Sequence, residues 1–226
     1  MILGDAPHHS ARVVLTKSGK IVGALHIAEE SEMPDNLIEN TLIGKAPSGY
    51  LIPACLVRYS PPLKEFAKLR GIRVVRIATH PRVFNQGIAS FALKELCNEA
   101  EKNGFDWVGA SFGAEYKLIN FWIKNGFIPV HISPTKNIIS GEFSVVVVKP
   151  LTARAKEALK EIYREFKLRF LETLSDTHYT LEAEVASQLL RIDLWNTFKA
   201  YTLTPSQRSR LLKYAEGVLT YEAACD

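Results

Sequence analysis

The sequence predicts an α/β (α+β) fold, a sheet flanked by helices, with an α-helical appendage at the C-terminal end. Three observations carry this. Strand-like and helix-like stretches alternate through residues 1–150. After Pro150 the texture turns to Ala, Lys, Glu and Leu at helical spacing. The usage is globular, with 47% apolar and 23% charged residues in a chain of 226. The expected division is a sheet domain over 1–150 and a helical tail over 151–226, packed on it.

The elements follow in order. Arg12 to Thr16 and Ile21 to Glu29 are strands joined through Lys17-Ser18-Gly19-Lys20, a hairpin signal. Gly49 to Val57 and Ile72 to Thr79 are apolar runs rich in strand formers, the second ending at His80-Pro81. Gly87 to Asn103 has helical periodicity, with Ile88, Phe91, Ala92, Leu96 and Ala100 on one side and Gly104 as the stop. Asp106 to Ser111 is a short buried strand, and Tyr116 to Asn125 a helix closed by Gly126. Phe127 to Ile132 and Phe143 to Lys149 complete the strands. In the tail, Thr152 caps a helix to about Leu174, Thr180 with Glu182 and Glu184 opens another, and Thr204-Pro205 starts a third.

Composition excludes several function classes. The longest apolar runs, such as Val145 to Val148, are too short to span a bilayer, and Asp5, His8 and His9 interrupt any N-terminal export signal. Three widely spaced cysteines fit neither a disulfide framework nor a zinc site. His8 and His9 lack a third ligand nearby, so no metal is expected. The expectation is a cytoplasmic, metal-free protein with no membrane contact.

Charge is uneven. Residues 1–150 carry 17 Lys and Arg against 13 Asp and Glu, whereas residues 151–226 balance 11 against 11. Between Arg58 and Arg82 seven basic residues face one acid, Glu65. Such a segment suits RNA or a nucleotide phosphate; the competing account is a solvated basic face.

The informative segment is Arg76-Ile-Ala-Thr-His-Pro-Arg-Val-Phe-Asn-Gln-Gly-Ile-Ala-Ser90. A strand ends, a short loop follows and a helix begins, so consecutive N–H groups gather at a helix N-terminus as an anion site. Gly87 and Ala89 stand as in the Gln/Arg-x-x-Gly-x-Gly/Ala loop of the GNAT acetyltransferases, which holds the pyrophosphate of acetyl-CoA. Phe84 departs, standing where Gln or Arg is usual.

The context extends the likeness. Ile21-Val-Gly-Ala-Leu25, Gly49-Tyr-Leu-Ile-Pro53, Arg76-Ile-Ala-Thr-His-Pro81, Asp106-Trp-Val-Gly-Ala-Ser-Phe-Gly113, Leu118-Ile-Asn-Phe-Trp-Ile-Lys-Asn-Gly-Phe127, Ser140-Gly-Glu-Phe-Ser144 and Lys149-Pro150-Leu151 follow in turn. Together they resemble the tRNA(Met) cytidine acetyltransferase family over most of its GNAT module and the start of its tail. The resemblance implies a GNAT-type mixed, mainly antiparallel sheet. It also implies transfer from acetyl-CoA to N4 of an RNA cytidine, the wobble cytidine of tRNA(Met) first, giving N4-acetylcytidine. That family carries an N-terminal helicase-like ATPase module. No Gly-x-x-x-x-Gly-Lys-Ser/Thr occurs here, so no ATP site is expected and that module would be a separate partner. The chain also begins near the second strand of the usual GNAT order, so the first strand is expected to be missing.

The implied chemistry needs positioning, oxyanion stabilisation and removal of one proton. His80, ending the central strand where the two GNAT strands splay, is the candidate base; its ordinary pKa of about 6.5 suits the task. The other account is a histidine fixed in a turn by Pro81. Glu142 would orient His80 or accept the amine hydrogen, or it is a surface carboxylate. Acetyl-CoA would lie on Ile77, Ala78 and Thr79, with its phosphates on the amides of Gln86, Gly87, Ile88, Ala89 and Ser90, and with Phe121 and Trp122 beside it. Trp122 stands where a GNAT tyrosine often protonates the leaving thiolate, and is expected to pack against the cofactor or the core; Tyr116 or a water would substitute, or the thiolate would leave unassisted. RNA contacts are expected from Arg58, Lys64, Arg70 and Arg73, and from Lys160 and Arg164 aligned with Lys167 on the tail helix. Two alternatives remain open. One is a GNAT enzyme acting on a protein or small amine, against which the basic segment argues. The other is a non-catalytic CoA- or RNA-binding module.

Overall fold

The structure, a computed structural model, describes residues 8–45, 47–191 and 205–218. Strands β1 (His9–Leu15) and β2 (Ile21–Glu29) form the expected hairpin, with Gly19 at φ +80° turning the loop and the Thr16 N–H donating to Lys20 O at 2.9 Å. Helices α1 (Asp35–Leu42) and α2 (Leu51–Tyr59) and a 3-10 helix (Pro61–Lys68) then lead to β3 (Gly71–Thr79). Helix α3 (Ile88–Lys102), β4 (Trp107–Gly113), α4 (Tyr116–Lys124), β5 (Ile128–Ile132) and β6 (Ser144–Pro150) follow. The tail supplies α5 (Ala153–Thr173), α6 (Ala183–Leu190) and α7 (Pro205–Ala215). Thr152 caps α5 by accepting the Ala155 N–H at 3.3 Å. The expected start at Thr204 lies outside the described residues.

The six strands form one sheet in the order β1-β2-β3-β4-β6-β5. Every neighbouring pair is antiparallel except β3 and β4, so the sheet is mixed and mainly antiparallel, as expected. Helix α3 covers one face: a Cβ on Gly23 would lie 3.2 Å from Ile88 Cγ2. Helix α2 covers part of the other: a Cβ on Gly109 would lie 2.7 Å from Ile52 Cδ1. Helix α5 packs on β5 and β6, burying Leu159, Ile162, Tyr163, Phe166 and Phe170. Helices α1 to α6 and the sheet belong to one compact unit, and α7 to a second.

One segment corrects the expectation from sequence. The run from Gly49 to Val57 is helix α2. Pro53 decides it: in a strand interior proline forfeits a ladder hydrogen bond, but in a helix's first turn its missing N–H is not needed. Glu30, at the end of β2 and fully buried, completes the arrangement by accepting the Ile52 N–H at 2.9 Å at the helix N-terminus. Phe91 is a smaller correction. It is 56% exposed, because the buried stripe of α3 runs through Ala92, Leu93, Leu96, Cys97 and Ala100.

Candidate active site at the strand fork

Strands β3 and β4 pair over only Gly71–Val74 and Trp107–Ala110. Beyond this both continue, β3 to Thr79 against β2 and β4 to Gly113 against β6. Their facing edges therefore separate at Val75 and Ser111, opening a fork with unpaired backbone on both sides. A register shift between His26 and Ile27 leaves Val75 without a partner on β2; such a bulge bends and twists the strand that carries it. Ile77, Ala78 and Thr79 line one edge of the fork.

At the fork's open end the chain turns through a 3-10 turn (Pro81–Val83) into α3. Asn85 and Gly87 both adopt left-handed conformations, at φ +61° and +78°, which turn the loop so that α3 starts at Ile88. The first helical amide bond runs from Phe91 N–H to Gly87 O at 2.9 Å, so the preceding amides point out of the helix end. Gln86 and Gly87 are exposed, and Ile88, Ala89 and Ser90 half-buried. Nothing lies within 4 Å of a Cβ placed on Gly87, so an approaching anion meets open space. The expected phosphate loop is thus gathered at one helix N-terminus beside the fork, and its donors suit a pyrophosphate.

His80 sits on the fork's rim, exposed, with its N–H donating to Val22 O at 2.9 Å. Its Nδ1 accepts the Arg82 N–H at 3.3 Å, so in this arrangement the neutral ring carries its proton on Nε2. Glu142, in the loop before β6, lies against Gly113 at the end of β4: its carboxylate fills the space that a Cβ there would occupy. No hydrogen bond joins Glu142 to His80 among the described residues. Trp122 is in the core, 4% exposed, stacked on Phe112 at 5.7 Å and edge-on to Phe127 at 4.7 Å. Little of its ring is left for a cofactor, so of the two expected placements, against the cofactor or in the core, it takes the second; Phe121 is half-buried beside it. Tyr116 opens α4 and lines a cleft shared with α6, not the fork.

The expected RNA-contacting residues are mostly engaged with the protein itself. Arg73 pairs with the buried Glu30 carboxylate, and Arg70 lies 4.5 Å over the Phe105 ring while donating to Asn103 O at 3.2 Å. Arg58 donates to Gly44 O and Lys45 O, both at 3.4 Å. Lys64 pairs with Glu39, Lys160 with Glu157 and Arg164 with Glu161, all as exposed, exchangeable pairs. Lys167 is buried, 5.4 Å from the Tyr163 ring centre, so it leaves the aligned basic face expected on α5. Arg76 and Arg82, by contrast, are exposed and have no ion-pair partner among the described residues.

The sheet face opposite α3 brings His9 and Arg73 together with His26, which sequence did not single out. Over β1 to β3 it is an open groove lined by His9, His26, Arg73 and Arg76. His9 Nδ1 and His26 Nε2 are 2.7 Å apart, so one ring donates to the other. His26 is held below its ordinary pKa, first by burial and then by His9, Arg76 and Arg73. Beneath α2 lies a cavity of about 550 Å³ reached by Arg73, Ser111, His131 and Ser144. His131 is stacked on Tyr59 at 4.2 Å, and burial pushes its pKa down to about 3, with Arg169 and His178 adding to the shift. Among the described residues no group of three His, Cys, Asp or Glu is placed to hold a metal, and no helix is long and apolar enough to cross a membrane.

The GNAT acetyltransferase 2 family model matches residues 1–103 and 93–152. A tRNA(Met) cytidine acetyltransferase of Pyrococcus abyssi is 47% identical over the whole chain, which spans 28% of that protein. The protein of the same name from Thermofilum pendens is also 47% identical, again with 28% of its length covered. Among solved structures, the ribosomal-protein-S18-alanine N-acetyltransferase of Escherichia coli aligns with 65% of this chain and 72% of its own at 14% identity and a TM-score of 0.42.

Proposed function

Because the chain belongs to the GNAT acetyltransferase 2 family, we propose that it transfers the acetyl group of acetyl-CoA to N4 of a cytidine in RNA, the wobble cytidine of tRNA(Met) first, giving N4-acetylcytidine. The observation that carries the reading is the fork between β3 and β4, open beside an anion-binding helix N-terminus. The names of the relatives above supply the acceptor: this chain spans just over a quarter of each, and RNA is proposed on that basis. A helicase-like ATPase module acting beside this domain belongs to the same reading.

When bound, acetyl-CoA supplies the acyl group as a thioester. The donor set fits it: the amides of Gln86 to Ser90 hold the pyrophosphate, with Arg82 exposed nearby, and the unpaired edge of Ile77 to Thr79 holds the extended arm. Backbone N–H groups around Ala78 and Thr79 meet the developing oxyanion. The cytidine amine is neutral, so one proton must leave as the C–N bond forms, while the thioester C–S bond breaks and CoA departs as its thiolate. His80 takes it, either at Nδ1, giving up the long bond from the Arg82 amide, or at Nε2 after a change of tautomer. Glu142, whose carboxylate lies against Gly113 at the end of β4, accepts an amine hydrogen in this reading.

The test is His80→Ala. Acetyl transfer to tRNA should fall about a hundredfold or more while acetyl-CoA binding, followed by calorimetry, is kept. Unchanged transfer in the variant would remove His80 from the chemistry. Faster transfer to a peptide amine than to tRNA by the wild-type chain would overturn the acceptor.

A further inference from the structure

The cavity beneath α2 lies where the fork begins. Arg73 of β3 and Ser111 of β4 both line it, one inside the last paired stretch and the other just past it. Close by, Ile52 of α2 rests on Gly109 of β4. The walls are mixed. Tyr50, Leu51, Ala54 and Val146 are apolar or aromatic, and the polar groups are few and convergent. No lining residue is acidic, Arg58 is cationic and the charge of Arg73 is balanced by Glu30, so the cavity offers a protonated amine no counter-charge and admits a neutral heteroaromatic ring.

His131 is the anomaly in this wall. It is 5% exposed, and neither ring nitrogen has a hydrogen-bond partner among the described residues; Nδ1 is sealed from solvent as well. A buried imidazole without partners is costly and calls for an explanation. Tyr59 stacks on the ring and fixes its plane. The neighbouring Ser133 hydroxyl is already committed, donating to Thr135 O and accepting from Ser144 N–H, both at 2.8 Å. The Ser111 and Ser144 hydroxyls have no such commitment among the described residues.

We infer that this cavity receives the acceptor base, and that His131 is a specificity-determining residue that hydrogen-bonds the pyrimidine edge while N4 points into the fork. The inference rests on the function proposed above and names the pocket for its acceptor. Nδ1 is sealed from the cavity, so Nε2 is the nitrogen that can meet a ligand; carrying the proton of the neutral ring, it donates to O2 or N3 of cytosine, both of which accept. Tyr50 supplies a stacking wall of the kind that holds unpaired bases. A site built to satisfy such polar edges rejects a ring that lacks them, because its own buried groups stay unpaired.

Two measurements test this. The first is titration of the wild-type chain, histidine-labelled and loaded with CoA, with cytidine 5′-monophosphate. The His131 ring resonances should shift, and guanosine 5′-monophosphate should leave them in place. No shift with the cytidine nucleotide, or an equal shift with guanosine, would overturn the assignment. The second is His131→Phe, which keeps the ring stacked on Tyr59 and deletes both nitrogens. It should raise KM for tRNA about tenfold with KM for acetyl-CoA unchanged; an unaltered acceptor KM would refute the role. Absence of any transfer to tRNA by the wild-type chain, with a helicase-like ATPase partner as well as without one, would sink the function proposed above, while the resonance titration would still decide what the cavity binds.

Discussion

Gly87 and His131 show how single side chains set this site from opposite directions. Gly87 matters through what it lacks: at φ +78° a side chain is strained, and a β-branched one more so. Gly87→Val should therefore shift the first turn of α3 and weaken acetyl-CoA binding at least about tenfold, read by calorimetry, with little loss of fold. His131 matters through burial. Its folded pKa, about 3, lies below the unfolded value near 6.5, so the unfolded chain binds more protons between them. Stability is then full above about pH 6.5 and falls as pH drops toward 3. His131→Phe should flatten that acid limb in denaturant titrations at pH 7, 5 and 4. His80 and the loop to Ser90 were legible in the sequence because strand, turn and helix N-terminus are consecutive. His131 was not: its isolation depends on Tyr59, 72 positions earlier, and on strand pairing that no local pattern encodes.

At the scale of elements, the placement of α2 turns on Glu30. The carboxylate is fully buried, holds the Ile52 amide and pairs with Arg73, so one side chain ties β2, α2 and β3 together. Glu30→Ala leaves a buried guanidinium unpaired and should cost about 3 kcal/mol in chemical denaturation. Thr152→Ala removes the cap of α5 and should cost about 1 kcal/mol. The sequence read α2 as a strand because Leu51, Ile52, Leu56 and Val57 are apolar in either period. Pro53 and a distant carboxylate decided between them, and only the first is visible locally. Helix α1 escaped notice for a related reason: its segment Asp35 to Leu42 is largely polar, and only Ile38 and Thr41 are buried. The hairpin turn at Gly19, the glycines that stop α3 and α4 and the Thr152 cap of α5 are local signals, and those elements were legible.

Across the whole molecule, net charge of +4 overstates the cation available to an RNA. Arg70 and Arg73 are held by the protein, whereas Arg76 and Arg82 are exposed beside the fork. Arg76→Ala and Arg82→Ala should each lower the salt slope of tRNA binding by about 0.9, measured as log K against log salt concentration. Arg70→Ala should leave that slope unchanged. The most direct test is nucleoside analysis by mass spectrometry after incubating the chain with acetyl-CoA and a tRNA(Met) transcript. The account predicts N4-acetylcytidine in the digest, dependent on acetyl-CoA and lost in His80→Ala. Acetyl-CoA binding with no acetylated cytidine, in the presence of a helicase-like ATPase partner as well as without one, would contradict it.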